Sequence, residues 1–153
     1  MPTTAFERDI TVGADRQRCW SVLTDVPKLI DWVSIVNDAT EIAPLEKYTA
    51  VLMDRLGPFK LKADLAIEVS EVVPGEHIRV RANGEDRQVS SRIGIDAVLV
   101  IDELPGGGSR VGVTGSYEVV GKVATMGAGM IRQKAAKILD EFFGHAVTAL
   151  GAR

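Results

Sequence analysis

The sequence predicts an α+β fold: a curved antiparallel sheet of about seven strands wrapped on one long C-terminal helix, with two short helices after the first strand. Three observations carry this. One segment alternates apolar and polar residues over twelve positions. Turn signals punctuate the chain from end to end. A long stretch near the C-terminus changes to helical spacing.

The first segment, "TAFERDITV", reads as a strand. "GADRQRCWSVLTDV" follows as a helix, with Asp15 as its N-cap and Cys19, Trp20 and Leu23 as its apolar stripe. Pro27 marks the end of that helix or the start of the next turn, and "PKLIDWV" is a second short helix. The clearest strand is "PFKLKADLAIEVSEV". Phe59, Leu61, Ala63, Leu65, Ile67 and Val69 form one face, and Lys60, Lys62, Asp64, Ala66, Glu68 and Ser70 the other. Such a strand belongs in an antiparallel sheet with one wetted side. "YTAVLMDRL", "HIRVRA", "RIGIDAVLVIDEL" and "RVGVTGSYEVV" read as further strands, with turns at "GPF", "PGE", "NGED" and "PGGGS". Short loops between residues 47 and 121 predict pairing of successive strands. Residues 121 to 147 then read as one long helix. Met126, Met130, Ile138, Phe142 and Ala146 lie along one stripe, and Lys134, Lys137, Asp140 and Glu141 elsewhere around it.

A chain of 153 residues, 46% apolar and 25% charged, has the size and composition of one globular domain, residues 1–153. The net charge of -3 and scattered basic residues disfavour nucleic acid as a partner. One cysteine excludes an internal disulfide and fits a reducing, cytoplasmic setting. The N-terminus lacks a basic start followed by an apolar run, so no signal peptide is expected. No apolar run reaches the roughly 18 residues of a membrane span.

"CWSVLTDVPKLIDWV" resembles the first-helix signature of the START-like (Bet v 1-like, SRPBCC) helix-grip superfamily, which includes polyketide cyclases. Trp20, Leu23, Asp25, Leu29 and Trp32 carry the pattern. Within it, the sequence is similar to the carbon monoxide dehydrogenase G-subunit family. Gly57 and Pro58 match its Gly-Pro before the fourth strand. Gly121, Lys122, Val123, Ala124 and Gly127 match its entry to the last helix, and Phe142 and Phe143 its double Phe. Ser34 and Ile35 stand where that family usually has Pro-Gly. The resemblance implies a hydrophobic ligand held between sheet and helix. It also implies a tie to a molybdenum hydroxylase and peripheral contact with a membrane.

Residue chemistry points the same way by default. His77 and His145 are isolated in sequence, Cys19 sits inside a helix, and no zinc spacing is present. "PGGGS" is followed by a strand rather than a helix, and "GAGM" lacks dinucleotide spacing. No catalytic constellation, metal site or cofactor motif is therefore expected. Asp96, Asp54 and Arg55 read as outer-face groups or as polar anchors at a pocket wall, with the outer face preferred for Asp96. Arg55 shares parity with Val51 and Met53. The expected ligand lining is Trp32, Val51, Met53, Phe59, Leu61, Leu65, Ile67, Leu99, Tyr117, Met126 and Met130. Gly127 and Gly129 would thin the helix wall or let it shift, and Met126 and Met130 would repack around a guest, making the helix a gate. Three functions fit: a binding module for a quinone, lipid or polyketide-like molecule; a cyclase-type enzyme; or an interaction or chaperone protein with a filled core. Binding ranks first.

Overall fold

Seven antiparallel strands form one sheet in the order β1-β7-β6-β5-β4-β3-β2. In chain order the elements are β1 (Thr4–Val12), α1 (Arg16–Leu23), α2 (Val26–Asp31), β2 (Val36–Ala43), β3 (Lys47–Leu56), β4 (Phe59–Val73), β5 (His77–Asp86), β6 (Ser91–Glu103) and β7 (Ser109–Gly121). A 3₁₀ turn (Lys122–Met126) and α3 (Ala128–Leu150) complete the chain. The computed structural model describes residues 3–152 apart from 57, 87 and 89. The side chains of residues 56, 59, 126 and 128 lie outside the described set.

The meander from β2 to β7 follows from the short turns, and β1 closes the far edge by pairing with β7 from Thr4↔Tyr117 to Val12↔Ser109. Asp15 caps α1 as expected, its carboxylate accepting the Arg18 N–H at 2.8 Å. Pro27 lies in the first turn of α2, where a missing N–H costs nothing. The strand absent from the segments named above is β2. "VNDATEIA" has no alternation because nearly all of it is exposed at the sheet edge. Its pairing with β3 shifts register twice, and Asp38 takes a φ of 51°.

The last helix departs from the single run expected. Gly127 ends the 3₁₀ turn and starts α3 at φ 97°, ψ 147°, a conformation in which only glycine is unstrained.

Both ends of the inner sheet face are packed. At one end α1 and the C-terminal half of α3 bury Val12, Cys19, Leu23, Ile101, Val111 and Phe143. At the other end Val26 and Ile30 of α2 cluster with Tyr48, Ala50, Leu65 and Ile67. The rear of α3 is held firmly. The Gly13 and Ala14 N–H groups donate to Gly151 O (2.8 Å) and Leu150 O (3.0 Å), and Trp32 packs edge-on against Phe142 at 5.4 Å. Arg8 pairs with Asp140, and Glu141 accepts the Ser34 N–H at 2.5 Å.

Candidate functional site

Between the two packed ends lies a cavity of about 210 Å³. Its floor is sheet: Leu52 and Asp54 on β3, Leu61 on β4, Ile93 and Ile95 on β6, Tyr117 and Val119 on β7, and Phe6 on β1. Its roof is the first half of α3, through Ile131, Lys134, Ala135, Ile138 and Leu139, with Ile35 and Val123 closing the sides. Alternation explains the floor. Each strand turns every second residue inward, and on β6 and β7 those residues are aliphatic or aromatic.

Two charged side chains enter this apolar space. Lys134 Nζ lies 3.0 Å from each of Asp54 Oδ1 and Oδ2. Asp54 Oδ1 also accepts the Arg55 N–H at 2.8 Å, which fixes the carboxylate in place. The Asp54 side chain is 13% exposed and that of Lys134 35%. Among the described contacts this pair is the polar link between the front half of α3 and the sheet, and it spans the cavity.

Of the expected lining residues, Leu61 and Tyr117 are at the cavity. Leu65 and Ile67 point inward as read, but into the cluster beneath α2. Trp32 and Leu99 belong to the cluster under the rear of α3. Val51 and Met53 face the other side of the sheet, since Tyr48, Ala50, Leu52 and Asp54 are the inward residues of β3. Parity misleads here because β3 is apolar on both faces, and Asp54 makes the true inner set look polar. Arg55 is outward with Val51 and Met53. Met130 is 45% exposed and is not among the residues lining this cavity. The side chains of Phe59 and Met126, and Gly57, lie outside the described residues.

The gate built on glycines loses its basis. Gly127 and Gly129 are exposed, with open space where a side chain would stand. Gly127 serves backbone geometry instead.

Other polar groups lie elsewhere. Asp96 is on the outer face, as read, accepting from Arg79 at 2.9 and 2.7 Å with Arg81 at 3.4 Å. Hydrogen bonds from Arg79 hold its carboxyl below the usual range, and the same contact pushes Arg79 up. His77 shares that face and sits 3.1 Å from Glu71. Burial pushes the Cys19 thiol and the Tyr48 hydroxyl up. None of these shifted groups lines the cavity. His145 stacks on Trp32 at 6.1 Å near the end of α3. "PGGGS" forms the β6–β7 hairpin, with Gly106, Gly107 and Gly108 all at positive φ.

A broader depression of about 1230 Å³ lies on the outer face, edged by Lys62, Asp64, Glu85, Arg92 and Glu118. Its charges are mixed in sign, and its buried one, Asp86, is taken up by the Lys62 and Gln88 N–H groups, unlike the convergent polar groups of a small-molecule site. Among the described residues no His, Cys, Asp and Glu cluster could hold a metal ion, and no helix is long and apolar enough to cross a membrane.

Residues 9–151 match the model of the carbon monoxide dehydrogenase G-subunit (CoxG) family. A comparison with curated proteins gives no match. Among solved structures, a conserved protein from Geobacillus kaustophilus superposes with a TM-score of 0.80 at 26% identity, covering 92% of this chain and 91% of that one. A START superfamily protein from Mycobacterium smegmatis gives 0.73 at 12% identity, covering 95% and 96%. The di-domain ARO/CYC BexL of the BE-7585A biosynthetic pathway gives 0.65 at 12% identity, covering 99% of this chain and 51% of that one. The last two likenesses are of fold: the START-like helix grip, with a curved seven-stranded sheet, a long C-terminal helix and short helices after the first strand.

Proposed function

Because the chain belongs to the carbon monoxide dehydrogenase G-subunit (CoxG) family, we propose that it is a binding protein, one START-like domain over residues 1–153. It holds an apolar molecule of quinone, polyketide or lipid type between sheet and α3. One observation carries the reading: an apolar space of about 210 Å³ persists between two well-packed ends of the same sheet face. A closed dry void of that volume would cost about 5 kcal/mol on the scale of engineered core cavities. This one is partly open, so a guest gains by displacing water from apolar walls, at roughly 25 cal/mol per Å² covered.

On the strength of the family's name the proposal extends to an accessory role beside a carbon monoxide dehydrogenase, and the resemblance read from the sequence adds a cytoplasmic molybdenum hydroxylase as that partner and peripheral membrane contact. Co-purification with such a hydroxylase tests that part. Native mass spectrometry followed by organic extraction tests the binding itself. A stoichiometric apolar compound is the expected result. Empty protein that also takes up no quinone, aromatic ketone or hydrophobic dye would overturn it.

A second reading, a cyclase-type enzyme, is favoured by the Asp54–Lys134 pair, a polar group inside the cavity of the kind such an enzyme would need. Loss of water from a poly-β-ketone probe, abolished in Lys134→Met, would establish it over simple binding.

A further inference from the structure

Among the described residues, Asp54 and Lys134 are the only charged members of the cavity lining. They neutralise each other, with Nζ 3.0 Å from both carboxylate oxygens. The arrangement is fixed from the sheet side, because the Arg55 N–H holds Asp54 Oδ1. A lysine ammonium has three N–H donors and no acceptor capacity. Asp54 is its partner among the described residues, which leaves donor capacity for a guest.

We infer that this pair is a polar subsite that selects neutral oxygenated compounds, ketones, phenols or alcohols, and rejects carboxylates. The inference rests on the cavity being a binding site. A neutral oxygen that reaches Lys134 accepts a hydrogen bond without disturbing the pair. A carboxylate reaching the same ammonium comes within about 4 to 6 Å of the Asp54 carboxylate, the range in which two like charges strongly oppose joint ionisation. The apolar walls add no screening of their own, and water reaches the pair only from the open side, where Lys134 is 35% exposed. Displacing Asp54 is no escape, since it would leave that carboxylate stranded at 13% exposure.

Size narrows the class further. A dry engineered cavity of about 150 Å³ takes benzene. In proportion, about 210 Å³ takes eight or nine non-hydrogen atoms, a substituted single ring or the head of a longer molecule whose tail leaves by the open side.

Three small probes of matched shape test this: ethylbenzene, acetophenone and benzoate, titrated into the full chain at neutral pH and followed by backbone amide NMR shifts. Acetophenone is expected to bind at least tenfold tighter than benzoate and more tightly than ethylbenzene. Lys134→Met should bring acetophenone down to ethylbenzene, and Asp54→Asn should narrow the gap to benzoate. Benzoate binding as well as acetophenone in the unmodified protein would overturn the inference. Ethylbenzene and acetophenone binding equally would also overturn it while leaving the binding function standing. If none of the three shifts the cavity residues, the binding function falls, and the subsite with it.

Discussion

Replacing Ala135 by Leu separates an open cavity from a filled core by the sign of one number. Ala135 is half-buried on the roof of the cavity, and its Cβ points into that space. Leucine adds three carbon atoms, each worth about 0.8 kcal/mol on full burial, so the ceiling is about 2.4 kcal/mol. Residual compactness of the unfolded chain and partial exposure reduce this to about 1–2 kcal/mol. Helix propensity is nearly neutral between the two residues. In a packed core the same change overfills and costs about 1–3 kcal/mol. Urea unfolding of ligand-free protein measures the difference. For a chain of this size, stabilisation by about 1–2 kcal/mol appears as a rise in Tm of roughly 2–8 °C. Dye uptake should fall in parallel, since the added side chain occupies the guest's place. A loss of stability with dye uptake unchanged would refute both the openness of the space and its role.

Gly129→Ala should stabilise by about 0.5–1 kcal/mol, because the first turn of α3 gains an alanine in open space and the unfolded chain loses freedom, whereas Gly127→Ala should destabilise by about 1–3 kcal/mol at φ 97°. Thermal unfolding of the two variants checks the opposite signs. Phe143→Ala should cost about 3–5 kcal/mol, since that ring is 3% exposed in the cluster under α3, while Met130→Ala at 45% exposure should change little. Stability against pH should fall on both sides for different reasons. Asp96 is held below its ordinary value by Arg79, so its contribution is present above the usual carboxylate range and is lost as pH falls through the depressed value; Asp96→Asn should flatten that acid limb. Cys19 is pushed up by burial, so its contribution is present below the ordinary thiol value and is lost as pH rises through the raised one. The native thiol should resist a thiol reagent that labels the unfolded chain at once.

The sheet is legible in the sequence wherever one face of a strand is charged. Lys60, Lys62, Asp64 and Glu68 declare the outer side of β4, and no other parity is tenable. In the middle of β3 both faces are apolar, Ala50 and Leu52 against Val51 and Met53, and the inward Asp54 is met across the gap by Lys134. That pairing spans 80 residues and leaves no local trace. The roof misleads in the same way. A stripe of every fourth residue from Met126 follows the chain through Gly127, where the helix in fact begins anew. The stripe is right at Ile138, which lines the cavity, and at Phe142 and Ala146, which pack under the rear of α3; at the front, Ile131 and Ala135 face inward and Met130 does not. Ile93 and Ile95 have the parity of Leu99 and are within reach of pattern reading. The edge strand β2 is not, because its residues bury almost nothing.

The pairing of β1 with β7 also sets the order in which the molecule can assemble. Strands β2 to β7 are joined by short turns and can zip up neighbour by neighbour, but Thr4 must find Tyr117 across most of the chain. The Gly13 and Ala14 amides then wait for the carbonyls of Gly151 and Leu150. Closing so long a loop is entropically costly and slow, and contacts of this separation push folding from microseconds toward milliseconds and seconds. During synthesis β1 emerges well before its partner and has no strand to pair with until β7 has left the ribosome.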